Sequence, residues 1–161
     1  MSTKVVGDGI SVAVTPVIST SAYSADDQIG GIMYLTGAGR QRYSISTLVS
    51  VSLVDKSKNT KPITLFFFNS FPTVSSVDNG MFNVPPAEFQ SKCIGHVAFT
   101  SGDYAVISGA SIATLKLGAS ALVMKSNAEQ GTIYAIAQIK DGGGSYAVGD
   151  QLYKFLFNRD A

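Results

Sequence analysis

The stretch Ile63 to Asn79, ITLFFFNSFPTVSSVDN, limits the possible folds more than any other part of this chain. Leu65, Phe66, Phe67 and Phe68 follow one another with no polar residue between them. Asn69-Ser70 and Phe71-Pro72 then stop the run, and Asp78-Asn79 reads as a turn. Successive side chains of a strand point to opposite faces, so this run offers large apolar groups on both. Such a strand is stable only where neighbouring layers or another subunit cover both sides.

The rest of the chain repeats the β signal. Turn residues divide it into short segments, and strands are expected at Ser11 to Ile18, Ile29 to Leu35, Ile45 to Val54, Ile63 to Phe68, Cys93 to Thr100, Tyr104 to Ile107, Ser111 to Leu117, Leu122 to Lys125, Thr132 to Lys140 and Gln151 to Phe157. Ile45, Thr47, Val49, Val51 and Leu53 alternate with serines, which predicts one face in the core, although Leu48 and Val54 break the pattern. The segment Pro85 to Lys92 has room for two helical turns, opened by its prolines and expected to bridge two sheets. Asp55 to Pro62 (DKSKNTKP) reads as a basic polar loop and Asp141 to Ser145 (DGGGS) as a flexible one. The spacing Tyr-x3-Asp-Gln-aliphatic occurs twice, at Tyr23 to Ile29 and Tyr146 to Leu152. Each copy is expected to mark a turn whose aspartate binds backbone amides and whose tyrosine packs at a sheet edge.

A chain of 161 residues is enough for one domain that buries about two thirds of its unfolded surface. Charged residues make up only 14% of it, against about 25% in an ordinary soluble protein, which suits a surface largely covered by neighbours. The formal net charge of +1 argues against nucleic acid and anionic membranes as partners. No secretory signal opens the sequence, and no apolar run reaches the length of a membrane span.

Reactive constellations are missing. Cys93 and His96 are the only cysteine and the only histidine, whereas a structural zinc needs four such ligands. In a regular strand the two would also point to opposite faces, which disfavours a nucleophile and base pair. Gly-x-Ser-x-Gly is absent, and Glu88 and Glu129 are the only glutamates. Gly142-Gly143-Gly144 is not followed by the Lys-Ser or Lys-Thr of a phosphate loop. Calcium on Asp26 or Asp27 remains the one cation option. The patches at Gly37 to Arg42 (GAGRQR) and at Lys56, Lys58 and Lys61 read as solvated loops or as contacts for an acidic protein surface, with no interleaved aromatic residue for nucleic acid. The expectation is therefore a protein without catalysis, metal or cofactor, whose work is contact.

The order Tyr23-x3-Asp27-Gln28-Ile29-Gly30-Gly31, then LVSVSLVDK from Leu48, LFFFNSFPT from Leu65, Asp78-Asn79 and Gly131-Thr132-Ile133-Tyr134 resembles small virion proteins of tailed bacteriophages of the capsid decoration or cement type. The resemblance spans most of the chain in outline and rests on structural motifs; the loop Gly142 to Gly144 lies outside it. It implies an all-β, single-domain antiparallel β-sandwich or jelly-roll-like barrel with one short helical turn. Residues 1–10 would form a flexible N-terminal arm and residues 11–161 the domain. The partners implied are the major capsid protein and further copies of the chain, on the capsid exterior of a particle made in the bacterial cytoplasm. Contact residues are expected in the arm, Thr3, Lys4, Val5 and Val6, and at the aromatic exit Phe71 and Pro72. The alternatives are a phage tail or baseplate component and a carbohydrate-binding β-sandwich using Tyr23 or Tyr146.

Overall fold

The computed structural model describes residues 8–160. In chain order these form β1 (Asp8–Val14), β2 (Gln28–Leu35), β3 (Ile45–Asp55), β4 (Ile63–Phe68), α1 (Pro86–Lys92), β5 (Cys93–Phe99), β6 (Tyr104–Ile107), β7 (Ala110–Lys116), β8 (Leu122–Lys125), β9 (Ile133–Ile139) and β10 (Gln151–Arg159). The first strand begins three residues ahead of its expected start, and Asp8, Gly9 and Ile10 pair with Arg159, Asn158 and Phe157.

Two antiparallel sheets face each other. One runs β1-β10-β3-β7-β6, with β8 pairing the first part of β3, and the other runs β2-β9-β4-β5. The pairings are nested: β4 with β5, outside them β3 with β7 and β8, then β2 with β9, and outermost β1 with β10. A long antiparallel hairpin folded over so that β10 also meets β3 and β9 also meets β4 gives this order. It is the strand order of a jelly roll.

The core lies between the sheets. Tyr153, Phe155 and Phe157 alternate with Lys154, Leu156 and Asn158 along β10, the first set buried. Phe155 meets Phe67 of β4 edge to face across the sandwich, ring centroids 5.9 Å apart. Along β3 the buried apolar set is Leu48, Val51 and Leu53 rather than the expected set beginning at Ile45. A bulge opposite Leu156 and Phe157 leaves Val49 without a register partner, and one extra residue switches the face that follows.

The second side of β4 is covered by the chain itself. Phe68, Val84 and Ile136 form a smaller buried cluster, joined by Phe66, Phe82, Phe89 and Cys93. Phe82 stacks on Phe66 at 5.1 Å, and Phe89 of α1 meets the same ring edge-on at 5.6 Å. Because α1 connects two neighbouring strands of one sheet, it lies over that sheet's outer face and does not bridge the two sheets. Its start is set by Pro85 and Pro86, and Glu88 is paired with Lys92 at 2.7 Å, one turn on.

The long connection from β4 to α1 also protects an edge. Gln28 N–H donates to Gly80 O, Asn79 N–H to Gln28 O, and Phe82 N–H to Asp26 O, so residues 79–82 pair with the entry to β2. Further along, Gly30, Gly31 and Ile32 bulge out between Ile29 and Met33. Gly30 has φ +75° there, and a Cβ would lie 2.8 Å from Pro16 Cβ, so both conformation and space call for glycine. An edge interrupted in this way is a poor template for adding a strand.

Candidate contact surfaces at the two ends of the sandwich

One end of the sandwich is closed by its own polar groups. Asp27 Oδ2 accepts the Ser24 amide at 2.8 Å, and Asp150 Oδ2 accepts the Ala147 amide at 2.7 Å, so the two Tyr-x3-Asp-Gln copies make the same turn. Their tyrosines meet: Tyr23 and Tyr146 are buried with ring centroids 5.8 Å apart. The Tyr23 hydroxyl donates to Asp78 Oδ1 at 2.6 Å, which ties the β4–α1 connection to this end. Burial raises the pKa of Tyr23, Tyr104, Tyr146 and Tyr153 above the ordinary phenol value, with the Asp78 hydrogen bond adding to the rise at Tyr23.

The DGGGS loop is anchored here. Tyr23 N–H donates to Gly144 O and Gly143 N–H to Tyr23 O, while Lys61 Nζ donates to Gly142 O and Asn59 Nδ2 to Ser145 O. The basic loop Asp55 to Pro62 is thus its partner, held in turn by Asp55, which accepts the Ser57 and Asn59 amides and the Ser57 hydroxyl. With Tyr23 2% and Tyr146 4% exposed, neither can serve as a platform for a sugar ring, and that form of the carbohydrate reading is overturned.

Cys93 and His96 do not alternate as a regular strand would require. A bulge pairs Phe67 with Gly95 but Phe68 with Cys93, so Cys93 joins the outer cluster while His96 lies beside Phe66 on the same side, ring centroids 6.1 Å apart. Burial raises the thiol's pKa, partly offset by the Gly95 backbone, so Cys93 is held as the thiol and not the nucleophilic thiolate. Asp26 is paired with Lys140 at 2.5 Å. Among the described residues no three His, Cys, Asp or Glu side chains converge as metal ligands.

At the opposite end, Phe71 and Pro72 separate. Pro72 is buried, whereas Phe71 is 49% exposed and packs on the outer side of the β2-β9-β4-β5 sheet with Tyr34 and Tyr134. The three ring centroids lie 5.3 to 6.0 Å apart, so the cluster is a fixed apolar surface and not a loose side chain. Lys92 Nζ donates to Phe71 O at 3.1 Å and pins the backbone beneath it. The first described residue, Asp8, sits at this same end, bound by Arg159 and Arg40. Thr3, Lys4, Val5 and Val6 lie outside the described residues. Tyr34 and Tyr134 were missed as partners of Phe71, because they come from β2 and β9, far away in sequence.

The strand order and this surface define an all-β jelly roll with an exposed aromatic cluster at one end. No protein-family model matches the chain, and no curated protein does. Among solved structures it is similar to a chain of tomato aspermy virus, at 11% identity and TM-score 0.43, covering 100% of this chain and 81% of that one. It is also similar to the PRD1 vertex protein P5, at 12% identity and TM-score 0.40, covering 97% and 99%. A third likeness is to empty-head turnip yellow mosaic virus, at 9% identity and TM-score 0.29, covering 99% and 85%. With TM-scores below 0.5, these likenesses assign the chain to no family.

Proposed function

We propose that this chain is a structural virion protein that binds the outer surface of a mature phage capsid as a cement or decoration subunit. The observation that carries the reading is the aromatic cluster of exposed Phe71 and Tyr34 on half-buried Tyr134, fixed on a jelly roll. That architecture serves capsid and lectin domains alike, and fold alone does not decide function. The rigid aromatic surface favours contact, since buried aromatic anchors dominate interface energy. A cement protein stabilises the expanded shell by binding it in preference to its precursor, which requires no chemistry, and many copies on a symmetric shell supply avidity. The major capsid protein is the partner in this reading, with a second copy of the chain beside it and the N-terminal arm, including Thr3 to Val6, reaching a neighbour.

The test is co-sedimentation with expanded and precursor shells. The wild type should load the expanded shell, and a Tyr34→Ser, Phe71→Ser variant should still fold and melt cooperatively, at a modestly lower temperature, but occupy it at least tenfold less. Equal loading of the variant would remove the aromatic cluster from the proposal. Imaging that places the protein only on the tail would replace the capsid reading with the tail or baseplate one.

A further inference from the structure

The loop from β2 to β3 holds a feature unrelated to the aromatic cluster. Tyr43 is 55% exposed and has φ +66°, a left-handed backbone conformation that is an outlier for a bulky side chain. Its amide donates to Ser126 O at 2.8 Å, which fixes the residue in place. Two cations from different elements converge on the ring: the Arg42 guanidinium carbon lies 4.9 Å from its centroid and Lys125 Nζ lies 5.8 Å away. Ring and cations attract, so the tyrosine holds together two positive charges that would otherwise repel.

Beside them opens a cleft of about 470 Å³ lined by Arg40, Gln41, Tyr43, Ser44, Ile45 and Asp160. Its wall is preorganised, because Arg40 is bound to Asp8 Oδ1 at 2.8 Å and to Asp160 O at 2.9 Å. The cations above it are weakly engaged. Among the described residues, the exposed Glu129, at 3.8 Å, is the one carboxylate within 4 Å of Arg42, and Lys125 has none. Ile45, 42% exposed, supplies an apolar floor.

We infer that this corner docks an acidic segment of a partner protein, with carboxylates on Arg42 and Lys125 and an apolar residue against Tyr43 and Ile45. A nucleic acid strand fits less well. It needs a groove of one sign along its backbone, whereas Asp8, Glu129 and Asp160 interrupt the positive charge here. The inference does not depend on the particle reading, since any partner with that chemistry would fit.

The probe is a labelled, acetylated and amidated heptapeptide with a central phenylalanine between two runs of three glutamates, read by fluorescence anisotropy. The wild type should bind it with an affinity that falls as salt rises. Arg42→Glu with Lys125→Glu should weaken binding at least tenfold, and Glu129→Gln, which removes the competing carboxylate, should strengthen it about twofold to fivefold. Tyr43→Gly separates folding from docking: glycine accepts the positive φ without strain, so melting should hold or rise while binding weakens. No binding by the wild type, or equal binding of the peptide with glutamines in place of glutamates, would overturn the inference. So would tighter binding of a seven-nucleotide oligothymidylate that the same substitutions abolish.

Discussion

Asp8 shows how single charges hold the margin of this fold. Arg159 binds its carboxylate through Nη2 at 2.6 Å and Nε at 3.1 Å, and Arg40 adds a contact at 2.8 Å. The hydrogen bonds from Arg159, helped by the charges of Arg159 and Arg40 and opposed by a smaller effect of burial, hold the Asp8 pKa below the usual carboxylate value. A carboxyl lowered on folding stabilises the protein above its unfolded pKa, near pH 4, and that contribution is lost as pH falls through the lower folded value. Urea midpoints measured from about pH 5 to pH 2 should therefore fall less steeply for Asp8→Asn than for the wild type, with the difference shrinking in high salt. Matching acid limbs would show that the contact carries no linkage. The sequence displays Asp8, Arg40 and Arg159 but not their meeting, because pairing between positions 8 and 159 depends on the whole outer turn of the roll. The aspartates of the two Tyr-x3-Asp-Gln copies were legible, since each binds an amide three residues away, whereas the packing of Tyr23 on Tyr146 was not.

Strand β4 shows what is readable at the level of elements. Its bounds, Ile63–Phe68, agree with the sequence pattern, and its two-sided apolar character was plain. What covers the second side was not, because Phe82 and Phe89 reach it through a connection whose path no periodicity records. The two faces should respond differently to truncation. Phe67 is fully buried between the sheets, so Phe67→Ala should cost about 3–5 kcal/mol by urea denaturation. Phe66, half-buried under α1, should cost about 1–3 kcal/mol on the same change. A Phe67→Ala protein with unchanged melting would contradict its place in the core. Bulges were the main loss elsewhere: the alternation in β3 and the spacing of Cys93 and His96 each assumed an unbroken strand, and one inserted residue reverses which side group faces inward.

For the whole molecule, short strands set by turn chemistry were visible one by one, while their nested order was not, since it depends on contacts between distant segments. The same is true of the surface: Phe71 stood out in the sequence, but its ring partners on β2 and β9 and the cation-flanked Tyr43 appear only once the sheets are assembled. The position of β10 carries a further consequence, for the timing of folding. Among the described strands this one comes last in chain order, yet it lies between β1 and β3. Until residues 151–159 leave the ribosome, those two strands have no common neighbour, and a topology rich in distant pairings folds slowly in any case. A nascent chain stalled at residue 150 should leave β1 open to protease, and release of a chain that includes residues 151–159 should close it. Early protection of β1 would mean that it finds shelter before its neighbour is made. If the stalled chain behaves as expected, this protein is synthesised around a missing middle, and β10, made after the strands on either side of it, completes a sheet that was waiting for it.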